Sequence, residues 1–202
     1  MRILLFPGMG ATKAMYSRLY SRNGFVLGCD WPDITKEESF SDLAMTCIAK
    51  FNITHNDIVA GSSMGGMVAA EIHKVAHCRK LIMIGSALTP MAVPFHRFSD
   101  FGAACVNERL LNFSAASVPF SARVKSSLLS KPGFVKWSLR AFRRWCGVYG
   151  LDTNSISSVH GLLDPVIPVF RVKPTLVIHT GGHLIAITHA NTVASFIGDH
   201  AN

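Results

Sequence analysis

Residues 58–66 read IVAGSSMGG, and no other stretch restricts the possible folds of this chain as much. The apolar, partly β-branched run before it predicts a buried strand. The stretch from Met64 to Ala76 predicts a helix, so a single residue, Ser63, must turn one into the other. Such a turn forces its central residue into a sparsely populated backbone conformation, and side chains two positions to either side would collide. Gly61 and Gly65 stand at those two positions, completing G-x-S-x-G between strand and helix.

A strand that is apolar throughout needs neighbours and cover on both faces. Short apolar runs supply the neighbours: Ile3 to Phe6, Gly24 to Cys29, Asp57 to Ala60, Lys80 to Ile84, Ile156 to Val159 and Thr175 to His179. Helical patterns alternate with them. One contains Met15, Leu19 and Tyr20. Another opens at Thr35 and Glu38, which have capping-box spacing, and runs to about Lys50; Asn191 to Ile197 closes the chain. This alternation predicts an α/β domain with a mostly parallel sheet of about six strands and helices on both faces.

The alternation lapses between about 88 and 152. Helices are expected there over roughly 99–113, 117–130 and 134–146. On the last, Lys136, Arg140, Arg143 and Arg144 share one face opposite Phe134, Phe142, Trp145 and Cys146, and Gly147 is placed to end it. Residues 88–151 hold nine basic and two acidic side chains, a surplus of seven out of the chain's +8.

At 202 residues and 49% hydrophobic content, one domain spanning 1–202 with an insertion at about 88–152 is expected. Five scattered cysteines without a CxxC pair suit reduced, buried thiols in a cytoplasmic protein; they fit neither a disulfide framework nor a zinc site. The longest apolar stretch, Leu81 to Phe95, is interrupted by Gly85, Pro90 and Pro94, so no membrane span is expected.

A serine hydroxyl is a weak nucleophile, so chemistry at Ser63 requires a base, a group to orient that base, and donors for an oxyanion. Asp164 lies in HGLLDP after a late strand, and His183 ends GGH after the final one. Both therefore fall at strand carboxyl ends, where parallel sheets build their sites. Asp30 and Asp152 are rival acids, and His189 is a rival base.

Taken together, FPGMG at 6–10, GSSMGG at 61–66, HGLLDPVIP at 160–168 and GGHLIAI at 181–187 resemble, in order, the oxyanion loop, nucleophile elbow, acid loop and histidine loop of the α/β-hydrolases. The resemblance covers nearly all of the chain outside 88–152. It implies Ser63 as nucleophile, His183 as base, Asp164 as orienting carboxylate, and the backbone N–H groups of Met9 and Met64 as oxyanion donors. The usual first two strands are missing, so a trimmed sheet is expected. Ser62 replaces the bulky residue many relatives carry. Asp30-Trp31-Pro32-Asp33 stands where D-x-P-G-x-G is common, which makes Trp31 a candidate substrate contact.

The resemblance implies a serine esterase or thioesterase acting on an ester or thioester, with 88–152 as a helical lid and neither metal nor organic cofactor. The lid's aromatic residues, among them Phe95, Phe98, Phe101, Phe113, Phe120, Phe134 and Trp137, suit an apolar acyl group. Arg140, Arg143 and Arg144 are candidates for docking an acidic acyl carrier protein, as in similar esterases; no nucleic-acid motif accompanies the charge. Acyl transfer to another acceptor, or a ligand-binding protein on the same fold, are the alternatives.

Overall fold

The computed structural model describes residues 2–22, 24–33, 39–94 and 132–201. Within them the expected six strands form one sheet: β1 (Ile3–Phe6), β2 (Val26–Gly28), β3 (Ile58–Ser62), β4 (Lys80–Ile84), β5 (Ile156–Gly161) and β6 (Leu176–Ile178). Their order is β2-β1-β3-β4-β5-β6, and every pairing is parallel. β3 runs further than expected because Gly61 and Ser62 join the ladder opposite Met83 and Ile84.

The helices are α1 (Ser17–Arg22), α2 (Phe40–Phe51), α3 (Met64–Ala76), α4 (Pro132–Arg144), α5 (Ile185–Thr188) and α6 (Ala190–Asp199). Successive strand residues point to opposite faces. Leu4, Phe6, Val59, Leu81 and Met83 therefore pack toward α2, α3 and α4, while Ile3, Leu5, Ile58, Ala60, Ile82 and Ile84 pack with Leu19 of α1 and Val193 and Ile197 of α6. The helices lie on both faces.

The chain begins in β1, moves outward to β2, then crosses back to β3 on the other side of β1. The carboxyl ends of β1 and β3 therefore flank the point where strand order reverses, the preferred ligand crevice of such sheets. The glycine-rich segments after both strands meet there.

Three expectations need correction. α2 starts at Phe40, and its capping box is formed by Ser39 and Asp42; Thr35 to Glu38 lie outside the described residues. α4 begins earlier than expected and stops at Arg144, which leaves Cys146 exposed, while Cys29, Cys47 and Cys78 are buried. The short α5 lies between His183 and α6, where no separate helix was expected. The expected helices at 99–113 and 117–130, and Cys105, also fall outside the described residues. No helix among the described residues is long and apolar enough to cross a membrane.

Candidate active site

Ser63 turns β3 into α3 at φ 52° and ψ −123°, a conformation costing an L-residue about 1–3 kcal/mol. The surroundings over-determine it. Its N–H donates to the Ile84 carbonyl (3.0 Å), while its own carbonyl accepts from the Gly66 N–H (2.9 Å) and the Ser86 hydroxyl (2.7 Å). A Cβ on Gly61 would run into the Gly65 backbone, and one on Gly65 into the carbonyl oxygens of Phe6 and Pro7. The glycines bring β1, β3 and α3 closer than any side chain permits.

His183 and Asp164 come to this turn from the far half of the sheet. The loops after β5 and β6 are tied together, Leu162 N–H to Ile178 carbonyl at 2.9 Å and Leu163 N–H to Gly181 carbonyl at 2.8 Å. Gly161 is required there, because a Cβ would strike the Gly181 and Gly182 carbonyls. Within this frame His183 Nε2 lies 2.9 Å from Ser63 Oγ, and His183 Nδ1 lies 2.8 Å from Asp164 Oδ2.

Three donors converge on Asp164: Oδ1 accepts the N–H groups of Val166 (2.8 Å) and Ile167 (2.9 Å), and Oδ2 faces His183 Nδ1. His160 Nε2 donates to the Ile167 carbonyl (2.7 Å) and lies 3.2 Å from Oδ2. Burial alone would raise this carboxyl's pKa, but the contacts with His160, His183 and Ile167 outweigh it and hold the group well below the ordinary carboxylate range. An ionised carboxylate only accepts, so His183 Nδ1 carries the proton and Nε2 presents a lone pair to the serine hydroxyl. The arrangement can move a proton from Ser63 to His183 beside a fixed negative charge.

The rivals lie elsewhere. His189 stands at the N-cap position of α6 without a side-chain capping bond, and its ring bonds Thr180 Oγ1 (3.1 Å) and Thr188 Oγ1 (2.9 Å). Asp30 accepts from the Lys13 N–H, and Asp152 from the Asn154 N–H. His160, on β5 within the HGLLDP segment, has no signal in the sequence for its bond to the Ile167 carbonyl or its approach to Asp164.

Met9 and Met64 line a cavity of about 90 Å³ beside Ser63, with Met67, Val93, Phe142, Val166 and Ile167. As first residue of α3, Met64 has an N–H without a carbonyl partner inside the helix. Trp31 is half-buried and stacked between Phe6 (ring centroids 5.7 Å apart) and Phe134 (5.4 Å). Ser62 is buried. Arg140, Arg143 and Arg144 lie exposed on the outer face of α4, whose Phe142 reaches the cavity.

No protein-family model and no curated protein sequence matches this chain. Solved structures do. A thermophilic esterase from Thermogutta terrifontis superposes with a TM-score of 0.71 at 16% identity over 98% of this chain and 88% of that one. RedJ, a thioesterase of the prodiginine pathway in Streptomyces coelicolor, gives 0.69 at 21% identity over 99% and 90%. A lipase-esterase related protein from Clostridium acetobutylicum gives 0.70 at 15% over 98% and 94%. At such identities the likeness is one of fold, and the fold is that of the α/β-hydrolases.

Proposed function

We propose that this α/β-hydrolase-fold chain is a serine hydrolase that cleaves a carboxylic ester or thioester through an acyl-enzyme. The observation that carries the reading is the hydrogen-bonded series Ser63–His183–Asp164, built on a serine held at positive φ at a helix N-terminus. Ser63 Oγ attacks the carbonyl carbon as its proton passes to His183 Nε2. Asp164 keeps the imidazole in the tautomer this needs and stabilises the imidazolium. The tetrahedral oxyanion is received by the N–H groups of Met9 and Met64. Its collapse expels the alcohol or thiol, which takes the proton from Nε2. Water, deprotonated by the same nitrogen, then attacks the acyl-enzyme and returns Ser63 to its hydroxyl form.

The residues lining the cavity beside Ser63 are almost all apolar, which favours an uncharged acyl group there. We take 88–152 as the lid of a single domain; Phe142 of α4, reaching the cavity, supports that role. The test combines fluorophosphonate labelling with a rate panel of p-nitrophenyl esters and acyl thioesters of graded length. Wild type should label stoichiometrically and turn over short esters, while Ser63→Ala should do neither. Equal labelling of Ser63→Ala, or no turnover of any ester or thioester by labelled wild type, overturns the reading.

One observation favours a carrier-borne substrate: α4 presents Arg140, Arg143 and Arg144 outward on the same helix whose Phe142 reaches the cavity. An acidic acyl carrier protein docked there would lie across the helix whose Phe142 lines the Ser63 cavity. Reversing the three arginines should raise KM for a carrier-bound thioester and spare p-nitrophenyl esters; equal effects on both remove the docking idea.

A further inference from the structure

The oxyanion donor assigned to Met9 works only if its N–H is fixed, and the described structure shows how the preceding residue is held. The Gly8 N–H donates to Tyr16 Oη at 3.0 Å in a buried bond. The Gly8 carbonyl accepts from the Ala11 N–H at 3.1 Å, closing a four-residue turn in which Gly10 has φ 75°, the value a type II turn requires at its third position. Both polar groups of Gly8 are thereby tied. The Met9 N–H belongs to the same planar trans peptide as the Gly8 carbonyl and points the opposite way. With that carbonyl drawn into the turn, the N–H is turned outward, and Met9 lines the Ser63 cavity.

Tyr16 also reaches the elbow. A Cβ on Gly8 would lie 3.5 Å from both the Ser62 carbonyl oxygen and Ser63 Cβ and 3.6 Å from Tyr16 Oη, so the phenol stands against the elbow beside Ser62, the residue preceding the nucleophile. One buried hydroxyl therefore stands between the loop after β1 and the turn after β3. Tyr16 is 4% exposed and packed among the core residues of the α1 and α6 side, so its position is fixed from behind.

We propose that Tyr16 is a positioning residue for the oxyanion hole, acting through the Gly8 N–H, with Ser62 as its neighbour on the elbow. The proposal rests on the serine-hydrolase reading above.

Tyr16→Phe removes one oxygen and keeps the ring in its packing. Its kcat toward a short p-nitrophenyl ester should fall roughly 10- to 100-fold, below the 10² to 10³ typical of losing a whole oxyanion donor. KM should stay within about twofold. Affinity for a trifluoromethyl ketone, which forms a tetrahedral adduct with the serine, should fall by the same factor as kcat. Ester affinity measured in the Ser63→Ala background should not change, because the ground-state carbonyl uses the hole little.

Ser62→Ala leaves the Gly8 bond in place and should lower kcat by only about threefold at unchanged KM, well below the 10² to 10³ of a lost donor. If Tyr16→Phe fails to fold, Ser62→Ala decides. An unchanged kcat, or a fall that only follows the fluorophosphonate-titrated active fraction, overturns the proposal. Full activity in Ser63→Ala would instead overturn the underlying reading, so the two failures are distinguishable.

Discussion

At Asp164, both carboxylate oxygens are engaged, Oδ1 by two backbone N–H groups and Oδ2 by His183 Nδ1, with His160 Nε2 3.2 Å away. Asparagine has the same shape, but its NH₂ must face either the backbone N–H pair or His183, and facing His183 it drives the ring into the tautomer that cannot accept from Ser63. Asp164→Asn should therefore lower kcat by about 10⁴ with KM little changed, measured by steady-state ester hydrolysis. The same geometry sets the pH profile. Asp164 stays ionised to well below the ordinary carboxylate range, so it should take up no proton over the acid limb of the rate profile. Log kcat/KM should rise with slope one to a plateau, and a slope of two would show that the carboxylate titrates as well. Ser63, Asp164 and His183 were readable as candidates because the chemistry demands all three types at strand ends. The choice over Asp30, Asp152 and His189 came from the order of the motifs in the resemblance and not from the residues alone, since where side chains point depends on how the loops are tied. The Tyr16 bond was still less visible, because nothing in MYSRLYSR at 15–22, where Tyr16 ends a 3₁₀ turn (Lys13–Tyr16), announces a partner eight residues back.

Helix α2 shows how local and long-range information divide at the scale of elements. Its apolar stripe, Phe40, Leu43, Ala44 and Cys47, is buried against α3 and the sheet, and its existence was legible from periodicity. Its start was not, because Thr35-x-x-Glu38 and Ser39-x-x-Asp42 both offer plausible caps. The second is the one formed: Ser39 Oγ accepts the Asp42 N–H at 3.2 Å, and Asp42 Oδ2 accepts the Ser39 N–H at 3.0 Å. Ser39→Ala should cost about 1 kcal/mol, or roughly 2–4 °C in Tm for a domain of this size, without altering kinetics. A Tm unchanged within 0.5 °C, on the order of experimental error, would mean that water replaces the cap at no cost. At α4 the relevant feature is the join to the body: Trp145 Nε1 donates to buried Glu71 on α3 at 2.8 Å. The basic outer face and aromatic inner face were both legible from spacing, but this bond spans 74 residues and had no local signature.

On the scale of the whole molecule, alternating strands and helices disclose a parallel sheet but leave open which side of β1 each later strand joins. That decision places Gly8 and Ser63 together at the strand-order reversal. Part of what fixes the arrangement lies at the opposite edge. Arg2, just before β1, donates to Asp57, just before β3, through Nε at 2.9 Å and Nη2 at 2.7 Å, and Nη2 also reaches the Asn52 carbonyl at 2.9 Å. The Arg2 bonds, with the Thr54 N–H, overcome the effect of burial and hold the Asp57 carboxyl below its ordinary range. A carboxyl whose pKa is lower in the folded than in the unfolded chain contributes its full stability above the unfolded value, about 4, and loses it as pH falls toward the folded value. The wild-type Tm should therefore hold near neutrality and decline below about pH 5, where the unfolded chain begins to bind protons the folded one refuses. Asp57→Asn should lower Tm at pH 7 by a few degrees, corresponding to about 1–2 kcal/mol for a pair whose arginine is partly exposed. The deficit should shrink as pH falls, because the wild type loses what the variant never had. Melting curves at pH 7, 5 and 4 decide it: a gap of constant size across the series would show that Asp57 acts through packing and not through its charge.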